Sequence, residues 1–241
     1  MLSECDVSKF LYLRLSGPLQ SWGSSSIFWH RETGDFPTKS GVIGLLFCAM
    51  GKGGAQVEAL SEIAPLKQKV FQIARKGETF SLMSDFHMVG GGYDENDPWQ
   101  CNCIPKTFDG KKAVNGGAKL TQRYFLQDSH FVVIQEIPES WKEEVVTGLL
   151  NPVWDIYLGR KCCAPALPIY GGIFDSQELA EVALQKDMPE FYGEEFMPVA
   201  FWEEVPPGTE HSMLLHDVPL VFGKHKKYTY RYVLKHIISE K

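Results

Sequence analysis

Apolar and polar positions alternate over residues 10–15, with Leu11, Leu13 and Leu15 on one face and Tyr12 and Arg14 on the other. That period of two predicts a half-buried strand. The loop over 17–26 is rich in glycine and serine. Beyond it, Thr38 or Ser40 can cap an apolar helix over 41–50 that Gly51 stops. A short helical stretch around 56–63 precedes two predicted strands, 70–75 and 79–85, joined as a hairpin by the Lys76-Gly77-Glu78 turn. Residues 130–136 are β-branched and apolar and read as another strand. Pro138 and the acids after it open a helix to Leu150, because proline suits a first turn and carboxylates suit the positive end of the helix dipole. A strand over 154–158 is expected next.

In order, these elements read β-α-β-β, an insertion, then β-α-β, close to the split arrangement of a ferredoxin-like, RRM-like fold. The expected class is therefore α+β. Residues 1–163 form the ferredoxin-like unit and 164–241 a smaller C-terminal β-rich part, whose candidate strands 212–221 and 228–238 are expected to make a second sheet packed on the first. Residues 88–121 carry glycines at 90–92, 110, 116 and 117, several lysines and few apolar side chains. Such a segment cannot build a core, so it is expected to project as a mobile, basic β-hairpin arm.

Charge alters this picture by its distribution. A formal net charge of −6 argues at first against a nucleic-acid partner. Between 175 and 210, however, ten acids face one base, Lys186, so the rest of the chain is net basic. Lys106, Lys111, Lys112, Lys119 and Arg123 cluster in one stretch, and Lys224, Lys226, Lys227, Arg231 and Lys235 in another. Two basic surfaces and one acidic flank are expected. The six cysteines, at 5, 48, 101, 103, 162 and 163, lack the spacing of a zinc knuckle and are expected to be reduced, mostly buried thiols. Neither a leader nor a membrane-length apolar run is seen, so a cytoplasmic protein without a membrane partner is expected.

Several segments bear on chemistry. Gly51-Lys52-Gly53-Gly54 follows a helix where a phosphate-binding loop would open one, and residues 94–97 lack the ligand spacing of a calcium loop. No metal or cofactor is expected. Gln20, Ser21, Trp22 and Gly23, with Trp29, His30 and Arg31 nearby, combine aromatic faces, cations and small residues, as base stacking on RNA requires. Lys39 sits where a helix start offers free N–H groups to a phosphate, and Arg160 and Lys161 follow Gly159, where a backbone can approach closely. A metal-free ribonuclease would need a base, an acid and a cation, for which His30, His87, Tyr124 and Lys161 are candidates.

Residues 16–23, Arg31 with Thr33, residues 37–45, residues 123–128 and Leu158-Gly159-Arg160-Lys161, in that order, resemble the CasD family of Cascade subunits from CRISPR type I-E systems. The resemblance spans about 10–175 and thins from Ala164 onward. It implies a RAMP-superfamily protein with a ferredoxin-like domain and a thumb at 88–121, gripping the 5′ handle of the crRNA in antiviral defence and capping one end of the assembly. It implies contact with the Cascade backbone subunits and the large subunit, with target DNA reached only through the complex. The acidic flank is expected to face the large subunit. RNA contact is implied for Gln20, Ser21, Trp22, Gly23, Arg31, Lys39, Arg123, Arg160 and Lys161, with Lys111, Lys112 and Lys119 added from the basic arm. No catalytic residue is implied, although type I-C relatives cut precursor RNA themselves, which keeps a metal-independent endoribonuclease as the alternative.

Overall fold

The computed structural model of the protein describes residues 8–23, 29–78, 80–89, 94, 96–104, 106–113 and 119–238. The alternating segment becomes β1 (Ser8–Gln20), and β2 (His30–Arg31) follows the polar loop. Thr38 caps α1 (Lys39–Met50) by accepting the Gly41 N–H, and Gly51 ends it at φ 71°, a left-handed conformation open to glycine. After α2 (Val57–Ile63) come β3 (Gln68–Arg75), β4 (Ser81–Val89), α3 (Pro98–Cys103) and β5 (Lys119–Pro138). One 3-10 turn leads into α4 (Lys142–Leu150). Then follow β6 (Tyr170–Phe174), α5 (Gln177–Asp187), β7 (Phe196–Val205), β8 (Met213–Val221) and β9 (Lys227–Ile237).

The strands form one largely antiparallel sheet in the order β6-β1-β5-β3-β7-β9-β8, with β2 and β4 also on β5. β5 is 20 residues long and organises the sheet. β1 runs along one edge of it, from Gln20 opposite Leu126 to Ser8 opposite Pro138. β3 and β4 share the other edge, with Gln68 to Ile73 against Gln135 to His130 and Ser81 to Val89 against Gln127 to Lys119.

Three expectations change here. β3 and β4 do not pair as a hairpin with each other. Both run antiparallel to β5, one after the other, so the turn at Gly77 (φ 78°) bulges the chain outward without reversing it. β5 is long enough to offer hydrogen-bonding groups to both. The 154–158 segment is not a strand, because its flanking backbone bonds to α1 and to the end of β1: Val153 N–H to the Ala49 carbonyl at 2.9 Å, and Ser21 N–H to the Leu158 carbonyl at 3.1 Å. The strand that flanks β1 is β6. Finally, the C-terminal strands make no second sheet: β7, inside the acidic stretch, bonds β3 on one side and β9 on the other.

Helices cover both faces. Leu11, Leu13 and Leu15 enter a core with Ile43, Leu46, Leu60, Val145 and Leu149 of α1, α2 and α4. Tyr12 enters a second core with Phe71, Val132 and the Ala180 and Leu184 of α5. Arg14, expected on an open face, is buried beneath α5, where Asp187 neutralises it at 2.5 Å and the Phe191 ring lies 3.9 Å from its guanidinium. The sheet face that carries Tyr12 and Arg14 is therefore covered by α5. Of the acids of the C-terminal part, Asp187 turns inward to Arg14, while Asp175, Glu181 and Glu195 pair nearer the surface with Lys9, Lys69 and Arg75.

Candidate nucleic-acid interface

The site begins where β1 ends. Gln20 is fully buried, and its amide nitrogen donates to the Leu15 and Ser129 carbonyls while its amide oxygen accepts the Trp22 indole N–H at 3.0 Å. The Trp22 ring is 1% exposed and lies so close over Gly41 of α1 that a Cβ there would stand 2.8 Å from it. Ser21 donates its hydroxyl to the Tyr124 carbonyl at 3.1 Å. Gly159 sits at φ 93° against the Ser21 carbonyl, where a Cβ would come within 1.8 Å of the oxygen. Arg160 spans the same loops, donating to the backbone carbonyls of Tyr124 (3.2 Å) and Arg31 (2.8 Å), with Phe125 beneath its guanidinium at 4.8 Å. Gly159→Ala is expected to lower stability by about 2–4 kcal/mol, from left-handed strain added to overpacking, measured as a fall in the urea midpoint.

These loops close around a cleft of about 800 Å³, walled by one side of α1, the 158–160 loop, β5 and the turn between β8 and β9. Arg31, Arg123, Arg160, Lys52 and Lys226 line it, and no described lining residue is an acid. Gly23, Gly41, Gly44, Gly159 and Gly223 are among the residues that line it. Arg31 and Arg123 are direct cross-strand partners in the β2–β5 pairing. Like charges placed so are mutually destabilising, and a bound phosphate would relieve the cost. Asp85, opposite Arg123 on β4, gives its carboxylate to His87 instead. Burial first, then repulsion from Arg123 and Arg31, holds the Arg160 guanidinium below its ordinary pKa. It stays charged at neutral pH.

The residues singled out from the sequence separate into groups. Ser21, Trp22, Gly23, Arg31, Arg123 and Arg160 meet at the cleft although they lie up to 139 positions apart in the chain. Gln20 and Trp22 act as clamps behind the wall, and at 1% exposure Trp22 offers no open ring face for a base. Lys39 is a correction: it is 1% exposed, its ammonium lies 2.9 Å from Glu204, and its backbone N–H donates to Asp217. The helix start read as a phosphate site is thus already closed by a carboxylate of the same chain. Lys161 is exposed beside Arg160. Lys111 and Lys112 are exposed on the insertion, while the Lys119 side chain and glycines 90–92 and 116–117 lie outside the described residues. Lys224 lies 3.8 Å over the Phe108 ring, which joins the two basic stretches. Of the nuclease candidates, His30 and Tyr124 are 5.0 Å apart by ring centres, His87 stands on β4 and Lys161 on its own loop.

Sequence reading missed Lys52, Trp154, Tyr157 and Tyr228 as cleft residues. Lys52 had drawn notice only as a failed phosphate-loop lysine. Its true role as a wall residue depends on α4, whose Glu144 fixes it at 2.6 Å.

Against known proteins, the profile described as CRISPR-associated protein (Cas_Cas5) matches residues 10–234. The chain is 27% identical over 168 residues to the CRISPR system Cascade subunit CasD of Escherichia coli (strain K12), covering 68% of this chain and 70% of that protein. It superposes on a chain from a CRISPR RNA-guided surveillance complex with a TM-score of 0.68 at 26% identity, over 95% of this chain and 89% of the other. A second solved structure, titled crystal structure of Cas protein, gives a TM-score of 0.59 at 29% identity over 95% and 94%.

Proposed function

Because this chain belongs to the CRISPR-associated Cas5 family, we propose that it is a Cascade subunit of an RNA-guided surveillance complex and that its cationic cleft holds the 5′ handle of the crRNA. One observation carries this reading: a protein of net charge −6 gathers Arg31, Arg123, Arg160 and Lys226, with Lys52 paired to Glu144, around one cleft, and no described lining residue is an acid. Phosphate neutralisation is the main source of RNA affinity, and glycines in a wall leave room for a sugar-phosphate chain to approach.

In this reading β6-β1-β5-β3, with α1 and α4 on one face, form a ferredoxin-like core, and β4 with the first half of β5 forms the stem of the thumb. The exposed Leu82, Phe86, Met88 and Leu120 on that stem are suited to a backbone subunit of the assembly. The role is to bind and cap, with no chemical step. A nuclease reading has one observation in its favour, the approach of His30 to Tyr124 beside Arg31 and Arg123.

The two separate when purified protein meets its cognate repeat RNA in EDTA. Binding is expected without cleavage, with log affinity falling linearly against log salt in anisotropy. Specific cutting on a gel, lost on changing His30 or Tyr124, would establish the nuclease instead.

A further inference from the structure

Trp154 stands at the mouth of the cleft with 48% of its surface open. Its support is unusually firm for an exposed aromatic. The Val153 N–H bonds the Ala49 carbonyl at 2.9 Å, and the Cys48 thiol donates to the Asp155 carbonyl at 3.2 Å, tying both neighbours to the end of α1. Val153 packs over Gly51, and the six-membered edge of the indole rests on Gly53, where a Cβ would come within 3.2 Å of it. The backbone around the ring is thus anchored to α1 while half the ring's surface stays open. A single exposed aromatic is ordinary on a protein surface, so the meaning of this one comes from its place in the cleft.

The surroundings choose the occupant. Trp154 lines the same cleft as Lys226, Tyr157 and Tyr228, with Arg31, Arg123 and Arg160 across the same space, and no acid is among the described lining residues. An aromatic face beside cations and bare backbone is the arrangement that takes an unstacked base with its flanking phosphates. A cleft of about 800 Å³ has room for one or two nucleotides.

We propose that Trp154 is a stacking platform for one unstacked nucleobase of single-stranded RNA, seated at the mouth of the cleft. The inference rests on the reading of the cleft as an RNA site and adds to it a residue and a binding mode. Stacking is tolerant of base identity, so the platform fixes the position of one nucleotide without naming it.

The test measures single-stranded repeat RNA binding by anisotropy across a salt series for the wild type, Trp154→Ala, Trp154→Phe and Arg123→Glu. It also uses a set of RNAs, each abasic at one position. Trp154→Ala is expected to weaken binding about 5- to 100-fold with the salt slope unchanged, and Trp154→Phe to restore most of it. One abasic position should cost the wild type a similar factor and cost Trp154→Ala little more. If Trp154→Ala binds every RNA as the wild type does while Arg123→Glu loses affinity, the platform is wrong and the RNA cleft stands. If the wild type itself shows no salt-dependent RNA binding, both fail. If Trp154→Ala loses only association with another protein subunit, the ring is a protein contact and the proposal is overturned.

Discussion

Arg123→Glu is expected to reduce affinity for repeat RNA by about 100-fold at physiological salt, and the Arg31→Glu, Arg123→Glu double variant by more. Arg123 lies directly across from Arg31 and close enough to Arg160 to lower its pKa, and no acid is among the described residues lining the cleft, so a bound phosphate would relieve repulsion among the three. Losing one phosphate contact should also lower the slope of log affinity against log salt by about 1. Folding should respond in the opposite sense. The single reversal replaces a repulsive cross-strand pair with an attractive one, so the urea midpoint is expected to hold or rise slightly. A variant that loses stability and affinity together would show that Arg123 is a structural residue, and equal affinity at all salt concentrations would remove the cleft from RNA binding.

Removing one member of the buried quartet Lys39, Glu204, Asp217 and Arg231 is expected to cost about 3–5 kcal/mol. Arg231 makes a two-pronged contact with Asp217 at 2.8 and 2.7 Å and reaches Glu204 at 2.9 Å, while Glu204 also accepts the Lys39 ammonium. Burial opposes the Arg231 charge, but Asp217 and Glu204 outweigh it and raise its pKa; burial lowers that of Lys39 despite Glu204. Deleting any one of the four leaves an uncompensated charge in the interior. Asp217→Ala should be the most damaging, since it strands the Arg231 fork and uncaps the Lys39 N–H at the start of α1. Equilibrium urea unfolding checks this. A loss below about 1 kcal/mol would mean that the quartet does not hold β7, β8 and β9 to α1. Lys39→Met should leave the salt slope of RNA binding unchanged, unlike Arg123→Glu, because its ammonium faces Glu204 and not the cleft.

Elements marked by strong local signals were legible. β1 was visible in its alternation, α1 in Thr38 and Gly51, α4 in Pro138 and its acids, and β8 and β9 in their apolar runs. β7 and α5 escaped notice because their acids dominated the composition of 175–210. Several of those acids meet bases brought from far up the chain, as Asp187 meets Arg14 and Glu204 meets Lys39. Charge read along a sequence therefore overstated the charge left at the surface. The site was half legible: Arg31, Arg123 and Arg160 were named from their neighbours, while Trp154 carried no signal, since a tryptophan in a loop reads equally as core or surface.

The sequence by itself determined the period of the strands, the helix ends and the existence of two basic stretches, because each depends on residues a few positions apart. Only the tertiary structure decided that β3 and β4 lie end to end on β5, that one sheet runs through the whole chain, and that Lys39 is buried whereas Arg123 faces the cleft. Both residues are cations in locally plausible settings. What separates them is which distant carboxylate arrives: Glu204 and Asp217 reach the start of α1 through the pairing of β7, β9 and β8, and none is among the described residues that line the cleft with Arg123.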